Sequence, residues 1–294
     1  MAIKIGTRGS KLALKQVDLV VHELGISDYE VIVIKTEGDK KSEEGKTQFD
    51  KLNFVQEIEN KLISGDIDIA VHSAKDMPAK DNSNLQNFYF NEMINSSKVD
   101  DWSKDLLIFK NGMEKTFSKN LKLGTSSLRR KMQAKFYLGA ENVHDLNGNI
   151  DTRIKKLNSG EYDCIILAKA GCDRLGYDLN SITLDHFTSP GQGIICIQTR
   201  CGFNKFDLKR STFSVDDQLI CLQKEFLTLI NADCNSALAL RVSKEVATQN
   251  FKLDVEIYGK TKKLKYSING INCVEDAVKM FHELNGDIYL NEHN

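Results

Sequence analysis

The chain has 294 residues, more than one hydrophobic core usually spans, so two or three domains are expected. Forty basic side chains stand against 41 acidic ones, a formal net charge of -1, with 41% hydrophobic and 28% charged residues. That balance excludes a nucleic-acid binder with a broadly basic surface, and any cationic site must be local. No apolar run approaches a membrane span, and Ile3-Lys4-Ile5 at the start holds no signal-peptide core, so a cytoplasmic protein is expected.

The opening reads as a strand, Ile3 to Ile5, a turn Gly6-Thr7-Arg8-Gly9-Ser10, and a helix from Lys11 to Leu24 with Leu12, Gln16, Leu19, Val20 and Glu23 at helical spacing. Small residues ahead of a helix suit an anion. A second β-rich run, Tyr29 to Lys35, precedes a long charged loop to about Gln48. A helix from about Asn53 to Ser64 leads into Gly65-Asp66-Ile67-Asp68-Ile69-Ala70-Val71-His72-Ser73-Ala74-Lys75-Asp76-Met77-Pro78. Its first half is a strand and its second half turns abruptly polar. Chemistry delivered at the carboxyl end of a strand is the pattern of open α/β sheets, and Lys75 with Asp76 is the leading candidate pair.

Two segments then recur in the same order. Leu121-Lys122-Leu123-Gly124-Thr125 repeats Ile3-Lys4-Ile5-Gly6-Thr7, and Lys156-Leu157-Asn158-Ser159-Gly160-Glu161-Tyr162-Asp163 repeats Lys61-Leu62-Ile63-Ser64-Gly65-Asp66-Ile67-Asp68. Two similar α/β lobes facing one another are predicted. Ser96 to Asp105 reads as one crossing between them, and Thr188-Ser189-Pro190-Gly191-Gln192-Gly193 as the second. Two crossings make a cleft that can open and close. From Ser214 a helix to about Ile230, three strand-like runs (Ala237 to Val242, Leu253 to Tyr258, Leu264 to Ile268) and a helix capped by Asn272 and ended by Gly286 describe a small α+β domain.

Gly124-Thr125-Ser126-Ser127-Leu128-Arg129-Arg130 sets hydroxyls and amides at a helix start with two arginines in the first turns. Unpaired N–H groups bind anions, and arginine grips carboxylate or phosphate with two parallel hydrogen bonds. Gly148-Asn149-Ile150-Asp151-Thr152-Arg153 is a second such start and Arg8 marks a third. Three of them favour one polyanionic ligand, with the ionised Asp76 suited to a cationic intermediate or a proton transfer. The seven cysteines (Cys164, Cys172, Cys196, Cys201, Cys221, Cys234, Cys273) have neither disulfide nor zinc spacing. Cys234 differs in sitting in a polar loop, Asn231-Ala232-Asp233-Cys234-Asn235-Ser236, where covalent chemistry is open to it.

These motifs resemble the porphobilinogen deaminase family over essentially the whole chain. His72-Ser73-Ala74-Lys75-Asp76-Met77-Pro78 and Gly124 to Arg130 are similar to its two most specific signatures, with Gly148-Asn149, Thr152-Arg153, Pro190 to Gly193 and Cys234 following in the family's order. The resemblance implies two type II periplasmic-binding-protein-like lobes with mixed sheets around a cleft, plus a small α+β C-terminal domain. The implied division is 1–96 with 190–209, 97–189, and 210–294. It implies a monomeric transferase that joins four porphobilinogen molecules into hydroxymethylbilane with loss of ammonia, on a dipyrromethane cofactor held by a thioether to Cys234.

By the same resemblance Asp76 and Lys75 are catalytic. Ser10, Thr125, Ser126, Ser127, Arg129, Arg130, Gly148 and Asn149 join them around the cofactor, and Arg8, Ser10, Gln16, Arg153 and Arg174 hold substrate. Carboxylates on every pyrrole ring explain many cations in a near-neutral protein. The chain departs from the family at Asn147 and Gln56, where cations are usual, and at Leu52-Asn53, Ala232-Asp233 and Ala237. Those departures leave open a weakened or inactive relative that keeps the fold. A two-lobed solute-binding protein is the rival of another class, but it has no use for Cys234 or Asp76.

Overall fold

The computed structural model describes residues 2–35, 51–91, 102–204, 214–233, 235–245, 248 and 250–293. The charged loop expected before Gln48, most of the first crossing and Cys234 lie outside the described residues.

The first lobe contains β1 (Ile3–Thr7), α1 (Lys11–Leu24), β2 (Tyr29–Val33), α2 (Lys51–Ser64), β3 (Ile69–Ser73) and β4 (Leu85–Phe90). The second contains β5 (Asp105–Phe109), β6 (Leu123–Gly124), α3 (Leu128–Gln133), β7 (Val143–His144), α4 (Ile150–Asn158), β8 (Cys164–Ala168), α5 (Lys169–Arg174) and β9 (Ser181–Leu184). The chain then returns to the first sheet as β10 (Ile195–Arg200). Strand orders are β2-β1-β3-β10-β4 and β7-β6-β8-β5-β9. In both, the central strands run parallel and the crossing strand, β10 or β5, is inserted antiparallel between the third strand and the edge. Position for position the sheets match, and the fold class expected from the sequence is the one observed.

The repeat extends to its hydrogen bonds. Asp68 Oδ2 accepts from the Lys4 amide at 3.1 Å while its own amide donates to the Lys4 carbonyl at 2.8 Å. Asp163 does the same with Lys122 at 2.8 and 2.9 Å. Gly6 and Gly124 are equivalent too: a Cβ on either would collide with Ile67 or Tyr162, the matching residues of the second repeated segment. The Ser-Gly-acidic turns therefore close on β1 in one lobe and on the start of β6 in the other.

Alternation along β3 sends Ile69 and Val71 into the core under α1, among Val17, Val20 and Val21, and Ala70 toward Ile58 and Leu62 of α2. Each of these large side chains contributes about 1.5–3 kcal/mol by leaving water. Helix α1 begins at Ser10, whose hydroxyl accepts from the Ala13 amide at 3.2 Å, and ends at Gly25 in the left-handed region.

The remainder comprises α6 (Ser214–Leu229), β11 (Leu238–Lys244), β12 (Phe251–Tyr258), β13 (Lys263–Gly270), α7 (Cys273–Glu283) and α8 (Gly286–Asn291), with an antiparallel sheet β11-β12-β13. One expectation is corrected here: Gly286 does not end α7 but opens α8. Asn285, with φ 54°, makes the left-handed turn instead, and the Phe281 ring occupies the space a Cβ at residue 286 would need.

Candidate active site

Strand β3 ends at Ser73 and runs directly into a single 3-10 turn, Ala74–Asp76, which lifts Lys75 and Asp76 out of the sheet at its carboxyl end. The second crossing presses on that turn. Ala74 donates its amide to the Ile194 carbonyl at 2.9 Å, and Gly191, at φ 68°, lies so close that a Cβ would stand 3.0 Å from the Ala74–Lys75 peptide. Only glycine combines that conformation with that approach. That turn is therefore located by the second crossing as well as by its own strand.

A cavity of about 470 Å³ opens between the lobes at this point. Its wall contains Arg8, Ser10, Gln16, Lys75, Asp76, Ser126, Ser127, Arg129, Arg130, Gly148, Asn149, Arg153 and Arg174, so thirteen of the fifteen residues expected from the sequence converge. Thr125 does not reach the wall. It is buried beneath it, where its hydroxyl accepts from the Ser127 amide at 3.3 Å. Cys234, the fifteenth, is outside the described residues, but its neighbours Asn235 and Ser236 line the cavity.

Several wall residues already carry structural bonds. Gln16 is buried and donates from Nε2 to Ser73 Oγ at 3.0 Å, Ser126 Oγ accepts from the Leu146 amide at 2.9 Å, and Arg174 donates to the Gly193 carbonyl at 2.6 Å with its guanidinium 5.0 Å over the Trp102 ring. Ser127 and Asn149 stand at the starts of α3 and α4 without a side-chain cap bond.

Arg129 and Arg130 are deeper than solvent-facing anion ligands would be. Both are held by Asp105, 3% exposed, at 2.9 and 2.7 Å. Gln192 of the second crossing donates to Asp105 at 2.9 Å and to the Ser103 carbonyl at 2.6 Å. Arg129 also bonds Gln133 at 2.6 Å, and Gln133 donates to the Tyr258 hydroxyl at 2.9 Å on β12. One network thus joins the first crossing, the second crossing, α3 and the C-terminal sheet. Burial alone would raise the Asp105 carboxyl, yet Arg130 and then Arg129 hold it far below the usual carboxylate range.

Six cations line the cavity (Arg8, Lys75, Arg129, Arg130, Arg153, Arg174) against two carboxylates, Asp76 and Asp151. Asp151 is engaged by Lys11 at 2.8 Å and by the Tyr177 hydroxyl at 2.7 Å. Arg153 donates from Nε to the Gly148 carbonyl at 2.6 Å and meets no carboxylate at ion-pair distance among the described residues. Burial first, then repulsion from Arg130, pushes its guanidinium down to about 10. Arg130 Nε is a buried donor with no partner among the described residues. These are the marks of a site shaped for several carboxylates.

Sequence reasoning passed over Asp105 and Gln192. A lone acid opening the wholly buried strand Asp105-Leu106-Leu107-Ile108-Phe109 was the available signal for the first. Of the two missing cations, Asn147 borders the cavity, whereas Gln56 is exposed on α2 and does not.

A family model described as "Porphobilinogen deaminase, dipyromethane cofactor binding domain" matches residues 3–207. A probable porphobilinogen deaminase of Ignicoccus hospitalis is 37% identical over 288 residues, covering 88% of this chain and 91% of that one. Porphobilinogen deaminases of Clostridium novyi and Fusobacterium nucleatum are 33% and 35% identical, covering 100% and 80% of this chain and 100% and 81% of theirs. With the motif residues gathered on one cavity and these relatives spanning both lobes, the chain belongs to the porphobilinogen deaminase family.

Proposed function

We propose that this chain is a hydroxymethylbilane synthase, a transferase that condenses four porphobilinogen molecules head to tail with release of ammonia. The observation that carries the reading is the cavity wall: six cations, two of them under-compensated, around Asp76 at a strand end, the other wall carboxylate, Asp151, being taken up by Lys11 and Tyr177. The three sheets support a division into 1–96 with 190–209, 97–189 and 210–294.

The residues present fit a dipyrromethane cofactor, whose carboxylates need several guanidinium partners; Arg130 Nε and Arg153 are such partners in waiting. Cys234 would hold it through a thioether, with Lys75, Arg129, Arg130, Ser10, Ser126, Ser127, Gly148 and Asn149 around it. When bound, it supplies the free pyrrole carbon that attacks the incoming substrate. Arg8, Gln16, Arg153 and Arg174 orient the substrate's carboxylates. Asp76 accepts hydrogen bonds from pyrrole N–H groups and stabilises the positive charge that develops on the substrate as ammonia departs. It also receives the proton lost when the new carbon–carbon bond is made. Thr125 acts at one remove, by fixing the amide of Ser127.

The test is intact-mass measurement of protein expressed with porphobilinogen available. An added dipyrrole mapped to Cys234, absent in Cys234→Ser together with activity, is the expected result. An unmodified Cys234 with no turnover would refute the reading.

A further inference from the structure

We propose that His72 is a positioning residue for Asp76, held in a single tautomer by Gln198 and, behind it, Glu59. His72 has this role only if Asp76 is the reacting carboxylate, as proposed above.

His72 borders the cavity four residues before Asp76 and is 7% exposed. Alternation on β3 puts it on the α2 face with Ala70, away from Ser73 and α1. Gln198 on the neighbouring strand β10 is opposite Ala70 in register and wholly buried. Its Nε2 donates to Glu59 Oε1 of α2 at 2.7 Å, which fixes the direction of the amide and leaves Oε1 as the free end. Two of the five buried side-chain polar atoms without a partner among the described residues are Gln198 Oε1 and His72 Nε2.

An orphaned amide oxygen beside an orphaned ring nitrogen are each expensive alone, about 1–3 kcal/mol, and satisfied together by one small adjustment. Gln198 Oε1 can only accept. Nε2 must therefore carry the proton, and Nδ1 is the lone-pair nitrogen.

The groups facing the ring are Asp76 beyond the turn, Arg8 after β1, Glu59 through Gln198, and the Cys196 thiol opposite on β10. Burial dominates and pushes the imidazole down to about 4, against the pull of Asp76 and of the Gln198 hydrogen bond and with the help of Arg8. Neutrality matters at this place. An imidazolium beside Asp76 would pair with it and cancel the charge needed by a cationic substrate, whereas a neutral ring packs behind the turn without competing. Glu59 accepts a second bond, from Asn82 Nδ2 at 3.5 Å, so the orienting chain is anchored at the turn before β4.

The full chain, loaded and labelled with nitrogen-15 histidine, tests this by NMR, with the His72 signal assigned from its loss in His72→Gln. The expected spectrum is the neutral Nε2–H tautomer from about pH 8 to about pH 5, where an ordinary histidine titrates. Gln198→Leu should release a mixture of tautomers and lower kcat by about tenfold with KM within about twofold, the scale on which removing an orienting partner acts. The wild-type spectrum decides the tautomer even if that variant fails to fold. A wild-type protein that makes no tetrapyrrole overturns the deaminase reading and the role with it. Wild-type turnover overturns the positioning role alone if it comes with a His72 that titrates near its ordinary value or carries its proton on Nδ1. Unchanged kcat in a folded Gln198→Leu does the same.

Discussion

Replacing Asp105 by Asn tests the hinge network most directly. The side chain keeps its size and loses its charge, while Arg129 and Arg130, 3% and 6% exposed, stay where they are. The wild-type carboxylate makes two ion pairs of 2.9 and 2.7 Å and takes a third hydrogen bond from Gln192. Removing one partner of a buried pair leaves an uncompensated charge and typically costs about 3–5 kcal/mol; here two guanidinium groups lose one carboxylate, so the upper part of that range is expected. The assay is urea unfolding followed by circular dichroism and by the single tryptophan. Trp102 suits this because it is buried within the first crossing, with its indole N–H donating to Asn91 at 3.1 Å. The midpoint should fall with the slope unchanged, since the surface exposed on unfolding is the same. The pH dependence carries its own sign. The Asp105 carboxyl is depressed in the folded state, so its contribution is complete above the ordinary carboxylate range and is lost only as pH falls through its lower folded value. A stability within about 0.5 kcal/mol of wild type would show that the arginines find other partners and would refute the network as an interdomain tie.

Asp76→Asn should preserve the fold and the Cys234 adduct but lower turnover by roughly two or more orders of magnitude, measured as porphobilinogen consumption; near-normal turnover would remove Asp76 from the mechanism. His72 is depressed from 6.5 to about 4, so it favours the folded state fully above pH 6.5 and ceases to as pH falls toward 4. Wild type should therefore lose about 3 kcal/mol over that interval relative to His72→Gln in parallel denaturant titrations, and parallel curves would contradict this. Asp233 Oδ1 accepts from the Asn235 and Ser236 amides at 2.8 and 3.1 Å, so the unusual acid beside Cys234 organises its loop. Asp233→Asn keeps an acceptor and removes the charge, and should speed alkylation of the thiol in cofactor-free protein by roughly threefold, because a neighbouring negative charge disfavours the thiolate. A slower reaction would mean that the carboxylate does not restrain the thiol.

The strand-turn-helix starts, the duplicated lobes and the placement of Asp76 at a strand end were legible in the residues because each is local. Alternation, a Gly-Thr turn and a cap residue act within a few positions of the chain. The repeated Asp68 and Asp163 bonds are not local, reaching back to Lys4 and Lys122, and they were legible only because both segments of each pair recur in the chain. The depth of Arg129 and Arg130 was not legible. Their spacing reads the same on a solvated helix as on a buried one, and only the packing of β5 against β8 brings Asp105 beneath them. The orphaned pair His72 and Gln198 belongs to the same class: 126 positions separate them, and it is the antiparallel insertion of β10 beside β3 that makes them neighbours. Residue types told which groups could bind a polyanion, because charge and hydrogen-bonding capacity reside in the side chain itself. Which of those groups remain available to a ligand, and which are spent holding the lobes together, depended on burial and on distant partners, and these exist only in the folded chain.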